Sequence, residues 1–252
     1  MRLSYTSRFW LYAPIAAFLA IAAAVMIHWW ITAGAFEKKL AAMKGREAVP
    51  GVTLDWSTVA VGGFPFRMEA TFTDFYVHGA GARGPFYWRS PKFALHTLTY
   101  GRATTVYEAA GPQHLEWVAG DGQPHAADFL PGTMRGSTVV GTRGLVRVDI
   151  DIVDAAGTGF AARRLQFHMR RDPDGRDLDL MVKADDLNGI GAPVKLVQAY
   201  VTLSQADMLT PLLQGIAYWP DAVRAWHDHG GEMKLDKGAE PDRAARALSA
   251  LY

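Results

Sequence analysis

The chain has no cysteine in its 252 residues. Disulfides, thiolate nucleophiles and cysteine-based zinc or iron–sulfur sites are therefore excluded. The absence permits an oxidising compartment without requiring one. Net charge is also nearly absent, with 26 basic and 25 acidic residues giving +1. Arg2 and Arg8 are the only charged residues before Glu37, so the rest of the chain sets 24 basic groups against 25 acidic ones. A near-neutral domain leaves no electrostatic footprint for nucleic acid, which is not expected as a partner. Neither G-x-S-x-G nor G-x-x-x-x-G-K-[ST] occurs, which removes the nucleophile elbow and the P-loop.

Charge is missing altogether from Phe9 to Phe36. The segment FWLYAPIAAFLAIAAAVMIHWWI, residues 9–31, is 23 residues long. As a helix it reaches roughly 34 Å, enough to cross a hydrocarbon core of about 30 Å. Trp10 and Tyr12 flank one end and Trp29 and Trp30 the other, as in the aromatic belts at membrane interfaces. Pro14 lies in the first turns, where a missing N–H costs least. A cleaved signal peptide is the rival, with Ala33-Gly34-Ala35 as the small-residue cleavage site. The apolar stretch is longer than the roughly 7–15 residues of a signal core and ends in two tryptophans, which favours an uncleaved anchor. Arg2 and Arg8 favour a cytoplasmic N-terminus, whereas Lys38, Lys39, Lys44 and Arg46 argue the other way. Long domains translocate largely regardless of such charges, so the orientation taken is N-terminus inside and domain outside.

Residues 36–49, FEKKLAAMKGREAV, read as the helix continuing beyond the membrane, with Phe36, Leu40 and Met43 on one face. Pro50-Gly51 ends it. From Val52 the period changes to two. VTLDW, RMEATFTDF, KFALHTLTY, HLEWV, LVRVDIDIVD and VKLVQAYVTL read as strands, and RLQFHMRRDPDGRDLDLMVKA as a hairpin turning at Asp172-Pro173-Asp174-Gly175. Alternation through consecutive strands predicts an antiparallel, twisted sheet with one face covered or facing a groove. KFALHTLTY and VKLVQAYVTL are apolar on both faces, as a core or the lining of a lipid-sized groove would be. Two Pro-Asp openings, at 220 and 241, predict short C-terminal helices.

The candidate chemical motifs dissolve on inspection. GAGARG, residues 79–84, matches G-x-G-x-x-G, but Pro85 and another strand follow where a cofactor site needs a helix. A hairpin loop is the expected role. His227 and His229 sit two apart at a helix end, pointing about 200° apart, so they do not chelate together. Asp149 and Asp151 share one strand face, the solvated one. DPDG has its glycine at the fourth position, not the sixth of a calcium loop. No catalytic, metal or cofactor residues are assigned, and an enzyme is not expected.

One motif remains: Gly62-Gly63-Phe64-Pro65-Phe66-Arg67. The glycines permit a turn, and proline suits the first residue of a strand. In extended chain Phe64 and Phe66 share a face, which predicts two rings driven into the core. Pro65 and Arg67 share the other, leaving Arg67 free to pair or to meet a lipid headgroup. A structural corner is the plainer role.

An anchor, the tryptophan strand LDWSTVAV and then GFPFR resemble the alphaproteobacterial family called domain of unknown function 2125. LVQAYVTLSQ followed by AVRAWHDHGGEMKL resembles that family's strand and its helix ending in tryptophan and a double glycine. The resemblance covers most of residues 5–235 and implies location and architecture, not activity. The layout is loosely similar to AsmA-like envelope proteins, associated with lipid traffic; this is analogy at the level of fold. The family resemblance implies further strands after Gly230-Gly231, where this chain runs into an alanine-rich segment. The expected organisation is a cytoplasmic tail (1–8), a transmembrane helix (9–31), a helical juxtamembrane linker (32–50) and a periplasmic β-rich domain (51–252) on a bacterial inner membrane. The fold class is an N-terminal transmembrane helix plus a mainly-β (α+β) domain with an AsmA-like groove. The bilayer is the expected partner. A lipid ligand in the groove is the leading functional expectation, and a scaffold that binds an envelope protein is the alternative.

Overall fold

In the computed structural model, residues 8–65, 67–80, 84–98, 104–119, 121–189 and 191–236 are described. Helix α1 spans Arg8–Met43. Fourteen strands form one antiparallel sheet: β1 Arg46–Val49, β2 Val52–Asp55, β3 Thr58–Gly62, β4 Arg67–Ala80, β5 Pro85–Leu98, β6 Thr104–Ala110, β7 Gln113–Val118, β8 Pro124–Leu130, β9 Thr133–Gly141, β10 Gly144–Gly157, β11 Phe160–Arg171, β12 Leu178–Gly189, β13 Gly191–Leu203 and β14 Met233–Asp236. A 3₁₀ turn (Ala206–Leu209) and helices α2 (Thr210–Leu213) and α3 (Trp219–Asp228) lie between β13 and β14.

The helix is long and apolar enough to cross a membrane, with Tyr12–Met43 as the candidate span. The expected helical linker holds only to Met43. Gly45 adopts a positive φ of 67° and donates its N–H to Leu54 O at 2.8 Å. Arg46–Val49 then pairs with Val52–Leu54 as a strand. Helical periodicity in residues 46–49 loses to this local pairing, because Pro50-Gly51 folds the chain back on itself.

Register explains the sheet. Ala70, Leu95, Tyr107, Gly136, Ile150, Phe167, Val182 and Ala199 stand opposite one another in sequence across β4, β5, β6, β9, β10, β11, β12 and β13. The parallel row Phe72, Phe93, Ala109, Met134, Ile152, Leu165, Ala184 and Val197 is equally apolar. Between them lies a row pointing the other way that includes Glu108, Arg135, Asp151, Gln166 and Lys183. Period-two alternation has built one continuous apolar face across eight strands.

Helices cover this face at two places. Leu40 of α1 is buried with Trp56, Ala70, Phe72 and Phe75, and Phe36 and Met43 pack beside it. The end of α1 is thus part of the domain core. The second cover uses Ala206, Leu209 and Trp226 against Met169 and Leu178, with Val148 and Phe167 partly buried alongside. The C-terminal segment also reaches the opposite end of the sheet: Trp219 Nε1 donates to Ala80 O at 3.1 Å. The apolar face therefore curls towards itself. GAGARG lies in the β4–β5 hairpin, where Ala80 pairs with Pro85; residues 81–83 are outside the described set. After the double glycine one strand follows among the described residues, β14 against β13; the helix expected from Pro241 lies outside them.

Candidate functional site

Between the two helical covers the strands close on themselves. β5 pairs with β6, β6 with β9, β9 with β10, β10 with β8, β8 with β7, and β7 back with β5. Two long strands make this closure by changing partners midway. β5 pairs with β6 through Lys92–Thr97 and with β7 through Tyr87–Arg89. Pro91 stands between the two stretches, with no N–H to continue either ladder. Across from it, Asp74 takes a left-handed φ of 48°. β10 pairs with β9 as far as Val153 and with β8 from Ala156. Asp154, at φ 52°, marks that switch. Aspartate is among the few side chains that enter this region readily, and such irregularities bend a strand and increase its twist.

The ring surrounds an open-sided cavity of about 430 Å³. Its walls include Trp88, Phe93, Tyr107, Ala109, Leu115, Phe129, Met134, Val148, Ile150 and Ile152. The polar atoms among these side chains are occupied within the protein. Trp88 Nε1 donates to Gln113 Oε1 at 3.2 Å, and the Tyr107 hydroxyl shares a hydrogen bond of 3.1 Å with Thr138 Oγ1. Gln113 is itself fully buried and donates to Gly111 O at 2.9 Å. An occupant would therefore meet apolar surface with no unsatisfied donor to attract a charged group.

The outer face is a ladder of ion pairs. Asp149 accepts from Arg147 Nε and from His168 Nδ1, each at 2.6 Å, and Asp151 accepts from Arg164 at 2.6 and 3.0 Å. Desolvation would raise the Asp149 carboxyl, but the hydrogen bonds from His168 and Arg147 outweigh it and leave it lowered. Both aspartates lie on the charged face expected from alternation, and Asp149 also borders the cavity.

His114, on the ring's β7, lies between two carboxylates: Nε2 is 2.8 Å from Glu116 and Nδ1 is 2.6 Å from Asp128 of β8. The hydrogen bonds to Glu116 and Asp128 raise its pKa above 6.5. A group raised in the folded state adds stability below its unfolded pKa and loses it as pH rises through the folded value. The β7–β8 pairing is therefore expected to be tighter in mild acid than in alkali. An NMR titration of the His114 ring should give a midpoint above 6.5; a midpoint at or below that value contradicts the bridge.

The structure places the GFPFR residues elsewhere, and the expectation that its rings enter the core fails for Phe64. Phe64 is 51% exposed. It packs edge-on against Trp29 of α1, with ring centroids 5.6 Å apart. Trp29 Nε1 also donates to Arg67 O at 3.3 Å. Phe64–Pro65 is a cis peptide at the corner before β4. Phe66 lies outside the described residues. Arg67 is largely exposed and lies 3.7 Å from Glu69. The corner grips the helix because the apolar helix, rather than the sheet core, is its nearest partner.

The chain matches, over residues 29–240, the family described as an uncharacterized protein conserved in bacteria. The chain belongs to domain of unknown function 2125. No curated protein and no solved structure matches it. The match begins at Trp29, the residue that joins the helix to the GFPFR corner. In this member of the family the AVRAWHDHGG stretch forms α3 and its stop. Gly230 takes φ +82°, and Gly231 N donates to Trp226 O at 2.9 Å. A Cβ on Gly231 would lie 2.2 Å from Trp226 Cε2, so the second glycine makes room for the indole. His229 Nδ1 faces Ala225 O at 2.7 Å, engaged with the helix end.

Strands β6, β8 and β9 had no place in the sequence reading, and they supply Tyr107, Ala109, Phe129 and Met134 to the cavity. Their apolar rows contain glycine, alanine and threonine, which weakens the hydrophobic period. TTVYEAA and TMRGSTVVG carry β-branched residues, and that was the available signal.

Proposed function

We propose that this protein is a non-enzymatic, membrane-anchored binder that takes the apolar chain of a lipid into the β-ring. The observation that carries the reading is the cavity of about 430 Å³, whose exposed lining surface is almost wholly apolar. Ligand pockets span roughly 300–1,000 Å³, so the size suits one apolar chain. The exposed wall is almost all apolar, and the Arg135, Ser137 and Asp149 side chains that also border the pocket are paired with Glu108, Asp149 and Arg147, which supports binding over catalysis. The anchor reading is supported by Trp29 and Ala33, which contact the domain or are buried and would be lost by cleavage after Ala35. The proposed setting is the bacterial inner membrane, single-pass, with the domain in the periplasm.

Native mass spectrometry of the full chain, released from mild detergent and extracted for lipid, tests the proposal. The expected result is one lipid retained at defined stoichiometry. A folded chain that carries none, and takes up none from added phospholipid, overturns it. The second reading, a scaffold for an envelope protein, is favoured by β14. This strand ends the sheet among the described residues and exposes Met233 and Leu235, an arrangement open to strand addition.

A further inference from the structure

We propose that the Phe64–Arg67 corner is a second membrane contact, with the Phe64 ring seated in the headgroup layer where α1 leaves the hydrocarbon. This is independent of the cavity reading, since an empty ring would seat the corner equally well.

The height of the corner follows from the helix. Charge is absent from Phe9 to Phe36. The expected span, residues 9–31, rises roughly 34 Å as a helix and covers one hydrocarbon thickness. Trp29 lies two residues before the outer end of that span, at the boundary. Phe64 touches Trp29, and Arg67 accepts the Trp29 indole N–H through its carbonyl. The corner is held at the level of the boundary by two separate contacts.

The helix cannot readily swing away from the domain to alter that height. Trp29, Ala33, Phe36, Leu40 and Met43 repeat at helical spacing on one face. Ala33 and Leu40 are buried, and Phe36 and Met43 join the core beneath the sheet. The last four turns of α1 are built into the domain, so the sheet stands on the membrane at fixed orientation.

The surface at that level has interfacial chemistry. Trp30 is 74% exposed, Ile31 68% and Phe64 51%. Aromatic rings of this kind gather where hydrocarbon meets headgroups. Arg67 stands directly behind, exposed and only loosely paired with Glu69 at 3.7 Å. An exposed ion pair of that length contributes little, which leaves the guanidinium available to lipid phosphates. The continuous apolar surface from helix to corner identifies the bilayer as its occupant.

The absence of cysteine makes a direct test clean. Three full-length variants, F64C, W30C and T158C, each take one nitroxide label and are reconstituted in vesicles of phosphatidylcholine and phosphatidylglycerol. Thr158 lies at the exposed turn between β10 and β11. Power-saturation EPR then compares access of oxygen, which partitions into lipid, with access of a water-soluble nickel chelate. The label at 64 should resemble the one at 30, with an oxygen-to-nickel ratio several-fold above that at 158. A ratio at 64 equal to that at 158 overturns the proposal. So does a label at 64 shielded from both reagents and dipolar-broadened by a second label, which would make another copy of the chain the occupant.

Discussion

Replacing Ala109 with phenylalanine is expected to displace the ligand from the ring while leaving the sheet folded. Ala109 is buried and stands between Phe93 and Met134 in the register of β5, β6 and β9. Its side chain lines the cavity, so a phenyl ring there enters space an apolar chain would use. Each methylene kept out of the protein forfeits about 0.8 kcal/mol. Displacing two costs about 1.6 kcal/mol, which is more than a tenfold loss of affinity. Titration with a fluorescent fatty-acid analogue should show that loss in Ala109→Phe. Glu108→Gln, on the charged outer face and paired with Arg135 at 2.9 Å, should bind as the parent does. Unchanged binding by a folded Ala109→Phe would remove the cavity from the functional account.

The largest effect on stability is expected from Trp226→Ala. Trp226 is buried in the second core, and its indole N–H donates to Ser204 O at 2.7 Å. Removing a buried tryptophan typically costs about 3–5 kcal/mol, against a total of about 5–15 kcal/mol for a domain. The loss would free α3 from the sheet and expose the face around Met169 and Leu178. Urea unfolding of the full chain in nanodiscs should show a lower midpoint with the slope retained. Trp226→Phe should keep most of the packing and lose the hydrogen bond, a cost of about 1 kcal/mol. A Trp226→Ala chain as stable as the parent would mean that α3 does not hold the sheet.

These two sites differ in how well the sequence announced them. Trp226 stood in a recognisable stretch, between a Pro-Asp helix start and a double glycine. Its environment follows from local rules: the helix stops at Gly230, and Gly231 leaves room for the ring. Ala109 stood in TTVYEAA, which lacks bulky apolar residues at its inward positions apart from Tyr107. Its importance comes from partners 16 residues away on β5 and 25 away on β9. No local pattern carries that information.

GFPFR shows the same division in one motif. Two glycines and a proline announced a corner ahead of a strand, and the chain does turn there before β4. Alternation then pointed Phe64 into the sheet, because spacing alone treats the core as the destination of every apolar ring. An apolar helix crosses beside this corner, and Trp29 offers Phe64 a partner outside the core.

By itself the sequence determined the long charge-free helix, the antiparallel strands with one charged and one apolar face, the hairpin turns and the family. Each depends on residues near one another in the chain or on a short recurring motif. Only the tertiary structure decided that Arg46–Val49 pairs as a strand, that α1 ends inside the core, and that β7 and β8 close a ring around a cavity. Those outcomes depend on which strand each segment meets. β5 and β10 change partners at Pro91 and Asp154, and a strand's own alternation is the same whichever neighbour it pairs with.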